Sequence, residues 1–235
     1  MHFIHKITFD TPLKDGQIPM FRGSLIKAMG SNAHPLMHNH TEEGLRFGYP
    51  LVQYKPVEGR ACVVAIDEVG EYILRYFKTN ETIPLLMRKN EYKCRVDRAQ
   101  SESYSPLASE QPYYYSIRNY IPLTGENVAE FDGLMALTDK ICFLENILTG
   151  NILSFLKGIN FFTDERIVSV ITAIDRESII RYKGVRFRTF NLCFVSNFLL
   201  PSYIGLGKST SIGMGTIHQL ELPEQYKTFI SNVKG

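Results

Sequence analysis

Three of the six histidines of this 235-residue chain lie in one short segment, and this segment is the part of the sequence best suited to chemistry. They are His34, His38 and His40. Histidine gains and loses protons near neutral pH. Two imidazoles beside one phosphodiester can take a proton from a ribose 2′-hydroxyl and protonate the leaving 5′-oxygen, and such general acid–base catalysis contributes about 10²–10⁴-fold per group. This chemistry requires RNA, because the substrate supplies its own nucleophile.

Two other interpretations of the histidine segment stay open at this stage. A solvated loop can carry histidines that have no function. A metal site is also compatible with the spacing, if His34 or the pair Glu42 and Glu43 joins His38 and His40. Short motifs do not separate these interpretations by themselves.

Lys27 and Tyr49 flank the histidine segment and are the candidates to assist it. Lys27 lies on the helix predicted before the segment, where an ammonium group can offset the negative charge of the phosphorane. Tyr49 comes shortly after the segment, so its hydroxyl could reach the same phosphate. The predicted catalytic set is therefore His38 and His40, assisted by Lys27 and Tyr49.

The elements that carry this segment follow the order of a ferredoxin-like unit. Alternation and helical spacing of apolar residues predict six elements in the first half, in the order β-α-β-β-α-β. They are residues 3–9, 21–29, 49–55, 61–66, 68–78 and 82–87.

The second half is predicted to form another α+β unit with a similar strand-helix-strand opening. Its elements are a strand at 113–123, a helix at 131–156 with a break near Gly150, a strand at 166–174, a hairpin at 178–197 and a strand at 215–222. The stretch between the halves, 99–111, is rich in Ser, Glu and Pro and is predicted to be a linker. The predicted organisation is thus a domain at 1–98, the linker, and a domain at 112–235.

Composition excludes several classes of protein. The 26 basic and 24 acidic residues leave a net charge of +2, so a nucleic-acid partner must be met by a local patch. The four cysteines form no CxxC pair, which excludes a zinc ribbon and favours reduced thiols as in the cytosol. No signal peptide is recognisable, and no apolar run has membrane-spanning length. A cytoplasmic protein that does not contact a membrane is expected.

A glycine-rich segment near the C-terminus is the second candidate for function. It contains two G-x-G pairs and a short polar run, and its residues of interest are Gly205, Gly207, Lys208, Ser209, Gly213 and Gly215. Such backbone can approach a phosphate closely. Position 202 is Ser202, which excludes a Walker A motif, and the spacing is not G-x-G-x-x-G. A glycine-rich turn packed on a sheet is the open alternative.

A basic hairpin is the third candidate. Arg181 and Lys183 approach its predicted turn, and Arg186 and Arg188 leave it. Each pair shares one face of the hairpin, because side chains alternate along a strand. This arrangement suits the phosphate backbone of RNA, although a solvated hairpin face has the same pattern.

With these segments in place, the chain resembles the CRISPR-associated repeat-RNA endoribonucleases. These are the sixth Cas family of the RAMP superfamily, in the branch first described for type I-B systems. The similarity rests on two blocks that bracket most of the chain: residues 18–26, 37–40 and 49–55, then residues 197–201, 204–209 and 213–216. The C-terminal block is the more specific of the two.

The resemblance implies two tandem ferredoxin-like domains that cleave precursor CRISPR RNA within its repeats. It implies no metal and no other cofactor, products with 5′-hydroxyl and 2′,3′-cyclic phosphate ends, and catalysis by His38 and His40. CRISPR repeat RNA is the implied partner, and other CRISPR effector subunits and a homodimer are further expectations. A non-catalytic scaffold of the same fold that only binds CRISPR RNA is the alternative.

One position departs from the pattern of this family. A basic residue often precedes the second G-x-G pair, whereas Ile212 stands there in this chain. Lys208 is then the cation left in the glycine-rich segment. Phosphate contact through the second half of the segment is therefore not expected.

Overall fold

The structure is a computed structural model, and it describes residues 1–227 except 39, 42–43, 46–47, 88–89 and 183. Within helices and strands, the side chains of residues 38, 40, 41, 44, 45, 90 and 126 are also outside the description. The chain forms two compact units. The first contains Met1–Ser105 and Ser211–Gly213, and the second contains Pro106–Thr210 and the chain from Met214 onward.

The first unit combines a four-stranded sheet with two long helices. Its elements in chain order are β1 (His2–Pro12), α1 (Ile18–Met29), α2 (Pro35–His38), β2 (His40–Thr41), β3 (Gly44–Leu45), β4 (Val52–Val57), β5 (Arg60–Ile66), α3 (Glu68–Thr79), β6 (Ile83–Met87), β7 (Asn90–Cys94) and β8 (Val96–Tyr104).

The main sheet of this unit has the strand order β4-β5-β1-β8, with every neighbouring pair antiparallel. Phe9 of β1 is fully buried between the sheet and the helices. Its ring centroid lies 5.7 Å from that of Phe21 in α1 and 5.0 Å from that of Phe77 in α3. Two helices packed on one face of a sheet with this order make a ferredoxin-like unit. The prediction of this fold from the order of elements is confirmed.

The residues that form the edge strand of this sheet differ from those predicted from the sequence. Residues 82–87 were expected to be the fourth strand of the sheet, but β6 pairs with β7 in a separate two-stranded sheet. The fourth strand is β8, which pairs with β1 from Val96 to Tyr104. Most of segment 99–111, predicted as a linker, therefore lies in β8 and in the next strand. An exposed edge strand needs no apolar alternation, and polar residues there discourage edge-to-edge pairing.

The second unit repeats the architecture with one change. Its elements are β9 (Ala108–Tyr120), α4 (Glu126–Gly133), α5 (Leu137–Gly158), β10 (Ser169–Tyr182), β11 (Val185–Phe198) and β12 (Thr216–Leu220). The strand order is β10-β11-β9-β12, again antiparallel throughout. Residues 199–215 contain only a short 3-10 turn, Thr210–Ile212, where a ferredoxin-like unit has its second helix. The glycine-rich segment thus makes this crossover.

Helix α5 covers the second sheet with Leu148, Ile152 and Phe155, all fully buried. The predicted break near Gly150 is wrong, because Gly150 lies inside α5 and the helical region is instead interrupted between α4 and α5. No helix in the described part of the chain, α5 included, has the length and apolarity to cross a membrane.

Candidate active site and nucleic-acid interface

The histidine segment lies in the first unit, directly after α1. His38 is the last residue of α2 and His40 the first of β2, which pairs with β3 through His40 and Leu45. The two histidines are therefore the end of one element and the start of the next. Their side chains, and residues 39, 42 and 43, lie outside the described residues. Acid–base chemistry by His38 and His40 thus stays a prediction.

His34 has a local structural role. Its Nδ1 accepts a hydrogen bond from the Leu36 amide at 3.3 Å, at the start of α2, and its ring lies 5.3 Å from that of Tyr72. This bond occupies one ring nitrogen. Among the residues whose side chains are described, no three His, Cys, Asp or Glu residues are grouped to hold a metal ion. The other ligands of the metal interpretation, His38, His40, Glu42 and Glu43, lie outside that set.

Lys27 lines an open groove on the surface of the first unit. The groove has a volume of about 400 Å³ and is bordered by Ser24 and Ala28 of α1 and by Pro84, Leu86 and Glu91 of the β6–β7 hairpin. The Ser24 hydroxyl donates to the Leu86 carbonyl and ties the hairpin to α1. Lys27 is exposed, so its ammonium group is accessible to a ligand.

Tyr49 is buried and belongs to a hydrogen-bonded chain that the sequence analysis did not single out. Gln53 Nε2 donates to the Tyr49 hydroxyl at 2.8 Å and to the Pro50 carbonyl at 3.2 Å. Lys55 Nζ donates to Gln53 Oε1 at 3.0 Å. Tyr49 is 6 % exposed, and Gln53 and Lys55 are each 1 % exposed. We refer to Lys55, Gln53 and Tyr49 as the buried polar chain.

Burial controls the ionisation of Lys55. Loss of solvation lowers the pKa of its ammonium group to about 7, while the Cys62 thiol opposite it on β5 favours the charged form more weakly. Burial likewise raises the pKa of Cys62. A signal for this lysine exists in the sequence, since Gln53 and Lys55 interrupt a strand that pairs with the apolar β5.

Three glycines of the glycine-rich segment permit close backbone packing within the second unit. Leu206 N donates to the Gly215 carbonyl at 2.9 Å, and a Cβ on Gly215 would lie 1.9 Å from the Leu206 oxygen. A Cβ on Gly207 would meet the Ile121 carbonyl at 2.8 Å, and one on Gly205 would meet the Met214 carbonyl at the same distance. The alternative of a packed turn therefore accounts for these three glycines.

The second half of the segment packs in the first unit, to which Ser211–Gly213 belongs. Gly213 has a φ of +87°, and a Cβ there would lie 3.0 Å from the Tyr54 carbonyl and 3.2 Å from Lys55 Cβ. Ile212 is only 7 % exposed. An apolar residue at position 212 is therefore explained by its burial, and this half of the segment covers the strand that carries Lys55.

Lys208 is exposed and lies over an aromatic ring. Its Nζ is 5.3 Å from the centroid of Phe187 in β11. The next residue, Ser209, adopts a left-handed φ of 63°, and its carbonyl accepts a hydrogen bond from Met214 N at 3.4 Å. A cation over an aromatic face is attracted by the ring quadrupole. This contact holds Lys208 against the hairpin.

The basic hairpin presents its arginines on one face. Arg181 and Arg186 are directly opposite each other, and Ile179 is opposite Arg188. Because side chains alternate along each strand, Arg181, Arg186 and Arg188 share a face, whereas Phe187 and therefore Lys208 lie on the other. Lys183 is outside the described residues.

Arg188 is engaged within the second unit. Its guanidinium pairs with Asp132 at 2.8 Å and Glu177 at 3.2 Å and lies 5.4 Å from the Phe131 ring centroid. The directly opposed Arg181 and Arg186 repel each other, which disfavours the folded hairpin. Arg181 and Arg186 are thus the pair whose arrangement an anion would favour.

Two models of known protein domains match the chain in succession. The Cas6b N-terminal domain matches residues 3–104, and the Cas6b C-terminal domain matches residues 107–220. An uncharacterised protein of Methanocaldococcus jannaschii, MJ0978, is 32% identical over 115 residues, which are 49% of this chain and 77% of that protein.

Solved structures share the fold. A crystal structure of Cas6b matches 94% of this chain and 100% of its own with a TM-score of 0.80 at 20% identity. A CRISPR RNA processing endoribonuclease, also Cas6b, matches the same shares with a TM-score of 0.70 at 19% identity. Csf5, a type IV Cas6 crRNA endonuclease, matches 93% of this chain and 100% of its own with a TM-score of 0.60 at 13% identity. Because the two domain models cover residues 3–220 almost without interruption, the chain belongs to the Cas6b family of CRISPR-associated repeat-RNA endoribonucleases.

Proposed function

We propose that this protein cleaves precursor CRISPR RNA within its repeats, without a metal ion, by acid–base catalysis at His38 and His40. The observation that carries the proposal is the position of these histidines. They stand at the end of α2 and the start of β2, inside the part of the chain that matches the Cas6b N-terminal domain. Lys27, an exposed cation of α1, lines a groove of the same unit and is proposed to assist them.

In the proposed reaction one imidazole removes the proton of the ribose 2′-hydroxyl. The 2′-oxygen then attacks the adjacent phosphorus, and the bond from phosphorus to the 5′-oxygen breaks. The second imidazole, protonated beforehand, donates its proton to that leaving oxygen. The products are a 2′,3′-cyclic phosphate and a 5′-hydroxyl, and no co-reactant is consumed. Lys27 stabilises the charge that develops on the phosphoryl oxygens.

Tyr49 acts in this proposal as a hydrogen-bond donor. Its oxygen accepts the hydrogen of Gln53 Nε2, so its own hydroxyl hydrogen points away from Gln53. Because Tyr49 follows the histidine segment closely in sequence, we propose that its hydroxyl assists at the reacting phosphate or at the imidazole beside it.

RNA binding is proposed for the second unit. Arg181, Arg186 and Lys183 would contact phosphates along one face of the hairpin, while Arg188 braces the hairpin against α4. On the other face, Lys208 and the backbone of Ser209 would contact the strand. Gly205, Gly207 and Gly215 let this backbone fold tightly, and Gly213 serves the packing of the first unit.

The decisive test is cleavage of a synthetic RNA that contains one repeat of the CRISPR array in the source genome. We expect cleavage at a single site in EDTA, because no step uses a metal ion. A 2′-deoxy substitution at the nucleotide before that site should abolish cleavage, since it removes the nucleophile. Mass spectrometry of the products should find the cyclic phosphate.

Two other results of this experiment would favour the alternative functions. Binding of the repeat with no product after hours would favour the non-catalytic scaffold. Loss of cleavage on chelation, with zinc found by elemental analysis, would favour a metal-dependent enzyme.

A salt titration tests the role of the hairpin. Replacing Arg181 and Arg186 by alanine should reduce the slope of log affinity against log salt by about 1.4, because each phosphate contact with single-stranded RNA contributes about 0.7. The measurement is fluorescence anisotropy with a 2′-deoxy repeat, which binds without being cut. Alanine at the exposed Arg75 and Lys78 of α3 is the charge-matched control, and equal slopes for both double variants would remove the hairpin from the interface.

A further inference from the structure

The position of Lys55 opposes the stability of the fold. Side chains alternate along β4, so Gln53 and Lys55 lie on the face of the sheet opposite Tyr54, whose ring packs against Phe21 of α1 at 6.1 Å. Lys55 is among the largest fully buried side chains of the described residues. Lysine is almost never fully buried, because removing an ammonium group from water costs free energy.

Lys55 and the Pro50 carbonyl together favour one orientation of the Gln53 amide. In the observed orientation Oε1 accepts from the ammonium group, and Nε2 donates to the Tyr49 hydroxyl and the Pro50 carbonyl. A flipped amide would place Nε2 against the ammonium donors and Oε1 against a carbonyl oxygen, so both contacts would become repulsive. The hydrogen bond from Lys55 to Oε1 therefore favours Gln53 as a donor to Tyr49.

The glycine-rich segment closes the space beside Lys55. Gly213 packs its backbone against the Tyr54 carbonyl and Lys55 Cβ, and a side chain at this position would displace one of them. Buried Ile212 precedes it. A segment from the distant C-terminal part of the sequence thus packs beside the first side-chain carbon of the buried lysine.

The ionisation of Lys55 agrees with this geometry. Burial lowers the pKa of the ammonium group to about 7, because the charged form is poorly solvated in the folded protein. Removal of an ammonium group from water costs more free energy than removal of an apolar side chain of similar size. A buried lysine in a strand is unfavourable for folding, and such unfavourable residues are expected at sites where function requires them.

We propose that Lys55 and Gln53 are positioning residues for Tyr49: Lys55 orients the Gln53 amide, and Gln53 fixes the Tyr49 hydroxyl as a donor toward the reaction centre. This inference rests on the proposed RNA cleavage and deepens it. The lysine serves the reaction at the expense of stability.

The first test is Lys55→Met, which keeps an unbranched side chain, one heavy atom shorter, and removes its charge. We expect the thermal midpoint to rise and the single-turnover cleavage rate to fall by about 10–100-fold, because a misplaced group near the reaction centre has effects of this size. Affinity for the uncleavable 2′-deoxy repeat should not change. Lys78→Met, on the exposed face of α3, is the matched control and should alter neither quantity.

The second test reverses the hydrogen bond to Tyr49. Gln53→Glu conserves size and can pair with Lys55, but its carboxylate cannot donate to the Tyr49 hydroxyl. We expect a folded, slow enzyme. In a Tyr49→Phe background, Lys55→Met should reduce the rate no further, since the lysine acts only through Tyr49.

Each outcome decides the inference. A higher thermal midpoint with a slower rate supports it, whereas wild-type rates for Lys55→Met, Gln53→Glu or Tyr49→Phe overturn it. A lower thermal midpoint and a slower rate for Lys55→Met, with full activity of Gln53→Glu, would assign the lysine a structural role. An inactive wild-type protein would refute the proposed function itself, and this inference with it.

Discussion

Replacing either His38 or His40 by alanine should lower the single-turnover rate of repeat-RNA cleavage by about 10²–10⁴-fold. Each imidazole moves one proton in the proposed reaction, so neither can substitute for the other. The double variant should be little slower than the worse single variant, because residues that act as a unit have non-additive effects. Affinity for the 2′-deoxy repeat should change by much less, since binding is assigned to the second unit.

His34→Asn is the matched control for these variants. The asparagine oxygen can accept the Leu36 amide as His34 Nδ1 does, and asparagine is favoured at the start of a helix. Acid–base catalysis by the other two histidines predicts a rate close to that of the wild type. A large loss of rate with loss of bound zinc would instead support the metal interpretation, and undiminished cleavage by the double alanine variant would remove both histidines from the mechanism.

A modified substrate can assign the two roles. A sulfur atom in place of the leaving 5′-oxygen needs no protonation, because a thiolate is a good leaving group. The variant that lacks the general acid should therefore regain most of its rate on this RNA. The variant that lacks the base should remain slow, so the pair of rates identifies which histidine is which.

Much of the fold could be predicted because its signals are local. Inward-facing residues of β1 alternate, and α3 has helical spacing, so element type and order followed from short windows of sequence. The edge strand β8 was missed because its exposed residues carry no apolar alternation. Its identity depends on hydrogen bonds to β1, which lies about ninety residues earlier, and no local pattern encodes them.

In the candidate site, too, some residues can be recognised from local sequence and others only from the tertiary structure. The spacing of His38 and His40 marks them as candidates, since residue type and proximity are enough. Gln53 and Lys55 were not singled out, because polar residues that alternate along a strand are also typical of a solvated face, and the burial of β4 follows only from the tertiary structure. The glycine-rich segment is intermediate: its glycines are conspicuous in the sequence, but their partners, such as Leu206 for Gly215 and Lys55 for Gly213, follow only from the tertiary structure.

Gly215→Ala should give the largest loss of stability among single glycine replacements in the glycine-rich segment. The new Cβ would lie 1.9 Å from the Leu206 oxygen, and the backbone has a φ of +63°. The clash is with backbone that is hydrogen-bonded to Gly215 itself, so no side-chain rotation relieves it. We expect a fall of more than about 3 kcal/mol in the free energy of unfolding, measured by urea denaturation with both units monitored.

Gly150→Ala provides the opposite control. Gly150 lies inside α5, and a Cβ there would meet nothing within 4 Å. Alanine should therefore stabilise the second unit by about 0.5–1 kcal/mol through helix propensity. Opposite signs for the same chemical change would establish that the glycines of the segment are required by backbone packing. If Gly215→Ala were instead fully stable but bound RNA poorly, the segment would contact RNA directly, and packing would not explain its glycines.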